Sequence, residues 1–183
     1  DSILCCTGSS LKTKQKYFEL LHSKKVDALI LAGSKFIEMN PDDNHYIIEA
    51  AKELPVLLVN GYLEGDNIYC TLCDDRSATH HAAGKLIASG CRSILYLYTS
   101  HSYSGKNKLS GYQDALKGHG LPVREDYICQ CPKNVLAARD LLMQLHQKGV
   151  FFDAVLASDD TLAVGAVKYA HAVKRSIPDD FSI

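Results

Sequence analysis

Short, continuous apolar runs alternate with amphipathic segments almost from end to end of this chain, and that rhythm restricts its fold more than any other feature. The runs lie at residues 3–6, 28–31, 56–59, 68–72, 94–98, 127–129 and 154–157. Most lack the polar–apolar alternation of a strand with one wet face, so they predict strands buried on both faces. Between them, apolar residues recur at spacings of three and four. Tyr17, Leu20 and Leu21 share one helix face, Ile47, Ala50, Ala51 and Leu54 the next, then Ala78, Ala82 and Leu86. Leu109, Tyr112 and Leu116 follow, then Val135, Ala138, Leu142 and Leu145, and last Ala163, Ala166, Val167 and Ala170. Pro55, Gly90, Gly118, Gly120 and Gly149 stand where these helices should stop. Strand–helix–strand repetition implies right-handed crossovers, hence an α/β chain with parallel sheets flanked by helices.

With 183 residues the chain is long enough to bury the core of one domain or two small lobes. A net charge of -1 argues against its gripping a DNA backbone by itself, because phosphate binding needs a concentrated basic face. Lys12, Lys14 and Lys16, with Glu19 nearby, read as a solvated helix face. No apolar stretch reaches the roughly 18 residues of a membrane span, and no basic-then-apolar leader is visible. The seven cysteines lie in or beside apolar runs, which suits free thiols in a reducing compartment. Cys70 with Cys73, and Cys129 with Cys131, lack the arrangement of a zinc motif, so neither metal nor cofactor is expected.

In open α/β sheets, ligands bind beyond the carboxyl ends of the strands. The polar residues of this chain gather there. Thr7 to Ser10 follow the first run, Gly33-Ser34 the second, Asn60-Gly61 the third and Asp74-Asp75 the fourth. The fifth is followed by Thr99 to Ser104, the last by Ser158-Asp159-Asp160. Neutral donors and acceptors with a few carboxylates suit a polyhydroxylated small molecule. Each cluster also has a plainer reading: the aspartates precede helices they would cap, Asn60-Gly61 makes a turn, and the serines form a wet loop.

Several pieces resemble the LacI/GalR family of bacterial transcription regulators and, more distantly, periplasmic sugar-binding proteins. Lys25-Val26-Asp27-Ala28-Leu29-Ile30-Leu31 is similar to the family's K-x-VDG strand entry, and Leu54-Pro55-Val56-Leu57-Leu58-Val59-Asn60 to its IPVV segment. Asp74-Asp75, the helix through Leu86 and Ser89-Gly90-Cys91-Arg92-Ser93-Ile94 follow its D-N…G-H-R-x-I run. Lys108 to Leu116 resembles R-x-x-G-[FY]-x-x-A-L, and Asp153 to Ala166 the DA…N-D-x-x-A-x-G-A signature. The end, Ile177-Pro178-Asp179-Asp180-Phe181-Ser182-Ile183, is similar to IP-x-D-x-S.

The resemblance implies a periplasmic-binding-protein-like fold of two Rossmann-like lobes, residues 1–89 and 90–183, incomplete at both ends. It implies a cytoplasmic homodimer that binds a sugar, sugar phosphate or similar effector between the lobes. Operator DNA would be read by a helix-turn-helix head absent from this chain. Residue by residue, it carries ligand binding to Asp160, Lys108 and Asn60, with Ser102 and Ser104 as further contacts. Lys108 stands where the family has arginine and lacks its planar fork, Asn60 replaces an aspartate, and Asp159 an asparagine. Lys106 with Lys108 leaves room for an anionic ligand, and Tyr103 or Phe36 for the usual aromatic platform. The alternative is a periplasmic sugar receptor of a transport system. An enzyme is not expected: no G-x-S-x-G elbow, complete P-loop, H-E-x-x-H pair or G-x-G-x-x-G is present.

Overall fold

In chain order the elements are α1 (Leu11–Ser23), β1 (Leu29–Ala32), α2 (His45–Ala51), β2 (Val56–Val59), β3 (Ile68–Thr71) and α3 (Asp75–Ala88). These are followed by β4 (Ile94–Tyr98), α4 (Tyr103–Gly118), β5 (Ile128–Gln130), α5 (Val135–Gln147), β6 (Ala154–Ala157) and α6 (Asp160–Ala172). They come from a computed structural model that describes residues Asp1–Ile183. Two parallel sheets result, one ordered β1-β2-β3 and the other β5-β4-β6. The strand expected at residues 3–6 is absent. Ile3 and Leu4 are exposed and pair with no ladder, and an apolar run without a partner edge gains nothing from extended pairing.

The chain divides into two compact units. Asp1–Cys73 with Ser102–Ser104 form the first, and Asp74–His101 with Gly105–Ile183 the second. The boundary between these compact units falls after Cys73, whereas the motifs put the boundary between lobes after residue 89. The difference is α3, whose buried residues pack in the second unit. Its Ala83 and Ile87 share a buried cluster with Tyr96, Ala115 and Leu116, and Arg76 pairs with Asp114 of α4 at 2.6 Å.

In the first unit Leu29, Leu31, Val56 and Leu58 pack with Phe18 of α1 and with Ile47 and Ala51 of α2. The opposite face of this sheet stays open, with Ile30 and Tyr69 exposed, so burial on both faces does not hold here. Nor are the three lysines of α1 a uniform solvated face. Lys14 is buried, paired with Glu38 at 2.5 Å, bonded to the Lys35 carbonyl and set over the Phe36 ring. A carboxylate and a carbonyl oxygen there take the place of the water that a buried ammonium gives up.

The second unit is closer to the expected pattern. Every residue of β4 is buried, with one apolar cluster on each side of its sheet. Asp153 locks the amino-terminal edge, its carboxylate accepting from Arg92 N at 2.7 Å and Ser93 N at 3.0 Å. The carboxyl edge, where polar loops emerge, carries the candidate site.

Candidate functional site

At the carboxyl end of β6 the chain runs through Ser158 and Asp159 into α6. Asp159 is the N-cap: its Oδ1 accepts from Thr161 N at 2.8 Å, and its Oδ2 meets Lys133 Nζ at 2.6 Å. Partial burial works against its ionisation, but the bonds from Lys133 and Thr161 prevail and hold the carboxyl below the usual carboxylate range. The same bond raises the Lys133 ammonium. The next residue, Asp160, opens the helix and is exposed. Capping thus consumes Asp159 and leaves Asp160 at the surface.

The β3–α3 junction repeats this division of labour. Asp74 caps α3 through Ser77 N at 3.0 Å, and that backbone bond is the main reason its carboxyl lies below the usual range. Asp75 then has a side chain only 11% exposed, 3.8 Å from Lys108 Nζ. Lys108, from α4, also donates to the Ser158 carbonyl at 3.1 Å. Lys108 therefore joins the start of α3 to the end of β6, immediately before Asp159 and Asp160. The structure brings these two predicted ligand residues, Lys108 and Asp160, to one strand-end edge of the second unit.

Two further groups of the second unit were not among the ligand contacts expected from sequence, although Asp75 was among the polar residues at strand ends. The second oxygen of Asp75 is buried without a hydrogen-bond partner, and so is the hydroxyl of Tyr96, a fully buried residue of β4. Burial first, and the Asp75 charge second, push the Tyr96 phenol above its ordinary range, so it keeps its proton and remains a donor. Paired aspartates at both strand–helix junctions were a readable signal, since one cap is enough for one helix. A tyrosine inside a buried apolar run was another, because its hydroxyl must find a partner.

Asn60, Ser102 and Ser104 belong to the first unit. Asn60 ends β2 in the left-handed region, φ 59°, which asparagine tolerates better than most residues with a side chain. Its N–H donates to the Thr71 carbonyl at 2.8 Å, while its Oδ1 is buried and without a partner. Native proteins leave few such oxygens orphaned. Ser102 accepts a hydrogen bond from Ser34 Oγ at 3.0 Å, and Ser104 is buried in the first turn of α4. Tyr103 is half-buried, whereas Phe36 packs against the first unit's core.

All seven cysteines are free thiols, and no group of three or more His, Cys, Asp or Glu side chains is placed to hold a metal ion. No helix is long and apolar enough to cross a membrane.

A family profile described as "Periplasmic binding proteins and sugar binding domain of LacI family" matches residues 1–182. A relative named as an HTH-type transcriptional regulator from Lachnoclostridium phytofermentans is 52% identical over 183 residues, all of this chain and 55% of the relative. The chain thus spans about half the length of the curated relatives it matches. Among solved structures, a sugar-binding LacI-family regulator from Escherichia coli, complexed with phosphate, superposes at TM-score 0.80 with 25% identity. That likeness covers 94% of this chain and 62% of the other. A LacI-family regulator from Lactobacillus casei with bound sucrose superposes at TM-score 0.79 with 22% identity, covering 98% and 65%.

Proposed function

This chain belongs to the family of periplasmic binding proteins and sugar-binding domains of the LacI family, and from that premise we propose that it is the ligand-sensing part of a bacterial transcription regulator. It binds a small polar effector, a sugar or a sugar-like molecule, and performs no chemistry on it. In the second unit its contacts are Lys108 and Asp160; for the first unit, taken by itself, the candidate ligand residues are Asn60, Ser102 and Ser104. Residues 1–89 and 90–183 remain the proposed lobes, beside the compact units Asp1–Cys73 with Ser102–Ser104 and Asp74–His101 with Gly105–Ile183.

The observation that carries this reading is the convergence of Lys108, Ser158 and Asp160 at the carboxyl edge of the β5-β4-β6 sheet. That edge is where open parallel sheets take their ligands. The name of the Lachnoclostridium phytofermentans relative supports a regulatory output through a helix-turn-helix segment elsewhere in the polypeptide. A cytoplasmic homodimer acting on operator DNA follows from that role. Effector and operator affinities are then linked, each changing the other by one common factor.

The test is calorimetric titration of the full chain with neutral mono- and disaccharides and with sugar phosphates, followed by Asp160→Ala and Lys108→Ala on whichever compound binds. Losing a hydrogen bond to a charged group costs about 1.5–3 kcal/mol, or roughly 10- to 100-fold in affinity. Unchanged affinity in both variants would remove this edge from the binding site.

A further inference from the structure

Lys108 gives the site a cation, and a cation at a strand end would ordinarily favour an anionic ligand. Its surroundings argue otherwise. Asp75 Oδ1 lies 3.8 Å from Lys108 Nζ, and the Ser158 carbonyl accepts one of its protons at 3.1 Å. Lys133, a second lysine at this edge, is held by Asp159 at 2.6 Å. Each lysine is thus matched by a carboxylate, and Asp160 remains as a further negative charge. Among these groups two cations stand against three carboxylates, and Lys106, exposed in the first turn of α4, has no part in the pair around Lys108. A phosphate or carboxylate entering this edge would meet Asp75 and Asp160 as well as Lys108.

Asp75 is also built for more than pairing. Its side chain is almost buried, its helix is already capped by Asp74, and its second oxygen has no partner. The Tyr96 hydroxyl, which feels the Asp75 charge, is likewise buried and unpartnered. A buried carboxylate oxygen without a donor is an acceptor that a ligand hydroxyl can satisfy and an anionic ligand oxygen cannot.

We propose that Asp75 is a specificity-determining residue that neutralises Lys108, so that the site selects an uncharged hydroxyl-bearing ligand and excludes phosphorylated or carboxylated ones. This rests on the reading that Lys108 faces the ligand.

Inorganic phosphate is the probe, titrated calorimetrically into the full chain as wild type, Asp75→Asn, Asp75→Glu and Asp75→Asn/Lys108→Ala. Asparagine keeps the size of aspartate and removes its charge, so phosphate affinity should rise at least tenfold in Asp75→Asn. The gain should vanish in the double variant, and Asp75→Glu, which keeps the charge, should stay near wild type. Phosphate affinity within twofold of wild type in Asp75→Asn overturns the proposal. A gain that persists without Lys108 overturns it too, since the anion would then be held elsewhere. Should Asp75→Asn fold poorly by circular dichroism, Asp75→Glu decides alone: a tenfold gain with the charge retained refutes the filter. Failure of the site itself looks different, because Lys108→Ala and Asp160→Ala would then leave neutral-sugar affinity untouched.

Discussion

Gly111→Ala isolates the closeness of α3 and α4, the contact that assigns α3 to the second unit. A Cβ at position 111 would lie 2.2 Å from the Arg76 carbonyl oxygen, 3.0 Å from its carbon and 3.0 Å from His80 N. Non-bonded heavy atoms sit best at about 3.5–4.0 Å, so the helices must part by roughly 1 Å or more. The obstacle is backbone, which cannot rotate aside as a side chain would. Overpacking of this kind costs about 1–3 kcal/mol, against a helix-propensity gain of about 1 kcal/mol for replacing glycine by alanine. So severe an overlap with backbone belongs in the upper part of that range, about 2–3 kcal/mol, which leaves a net loss of about 1–2 kcal/mol, a fall of roughly 2–8 °C in Tm for a chain of this size. Gly118→Ala in the same helix is the control. Its Cβ meets nothing within 4 Å, so only the propensity term remains and Tm should hold or rise by a few degrees, on the order of 2–4 °C at most. Differential scanning calorimetry of both variants supplies the measurement and resolves the two units if they melt separately. Gly111→Ala melting at or above wild type would refute the backbone-contact argument.

Tyr112→Phe removes a buried hydroxyl that donates to the Ile94 carbonyl at 2.8 Å, so the urea midpoint should fall by the equivalent of about 1 kcal/mol. An unchanged midpoint would show that this bond holds nothing at the start of β4. Asp159 has a carboxyl held below its ordinary range, so its contribution is fully present at neutral pH and disappears as pH falls below the carboxylate range toward the folded value. Asp159→Asn should therefore melt lower than wild type at pH 7, by no more than about 1 kcal/mol because Lys133 is largely exposed, and the gap should close on acidification. A gap constant from pH 7 to about pH 2.5 would mean that the cap geometry, not the charge, is what matters.

What the sequence revealed and what it hid divide along one physical line. The strands at β2, β4 and β6 were legible to the residue, because a continuous apolar run between helical segments has few other ways to bury itself. Residues 3–6 carry the same local signal and form no strand, since pairing depends on an edge supplied from elsewhere in the fold. Lys14 was misread for the same reason: its partners Glu38 and Lys35 are remote in sequence, and only tertiary packing turns a surface lysine into a buried ion pair. At the candidate site, motif likeness supplied Lys108 and Asp160, but not Asp75 or Tyr96. Sequence offered a cap for Asp75 and a core position for Tyr96, and each reading was half right. The helix is capped, by Asp74, and Tyr96 is in the core, yet each residue keeps a polar atom that its own unit does not satisfy. Local rules account for what an element needs in order to form. Three buried polar atoms are left over once those needs are met, Asn60 Oδ1 in the first unit and Asp75 Oδ2 and the Tyr96 hydroxyl in the second, and Asp75 is the one whose side chain also stands 3.8 Å from Lys108 Nζ.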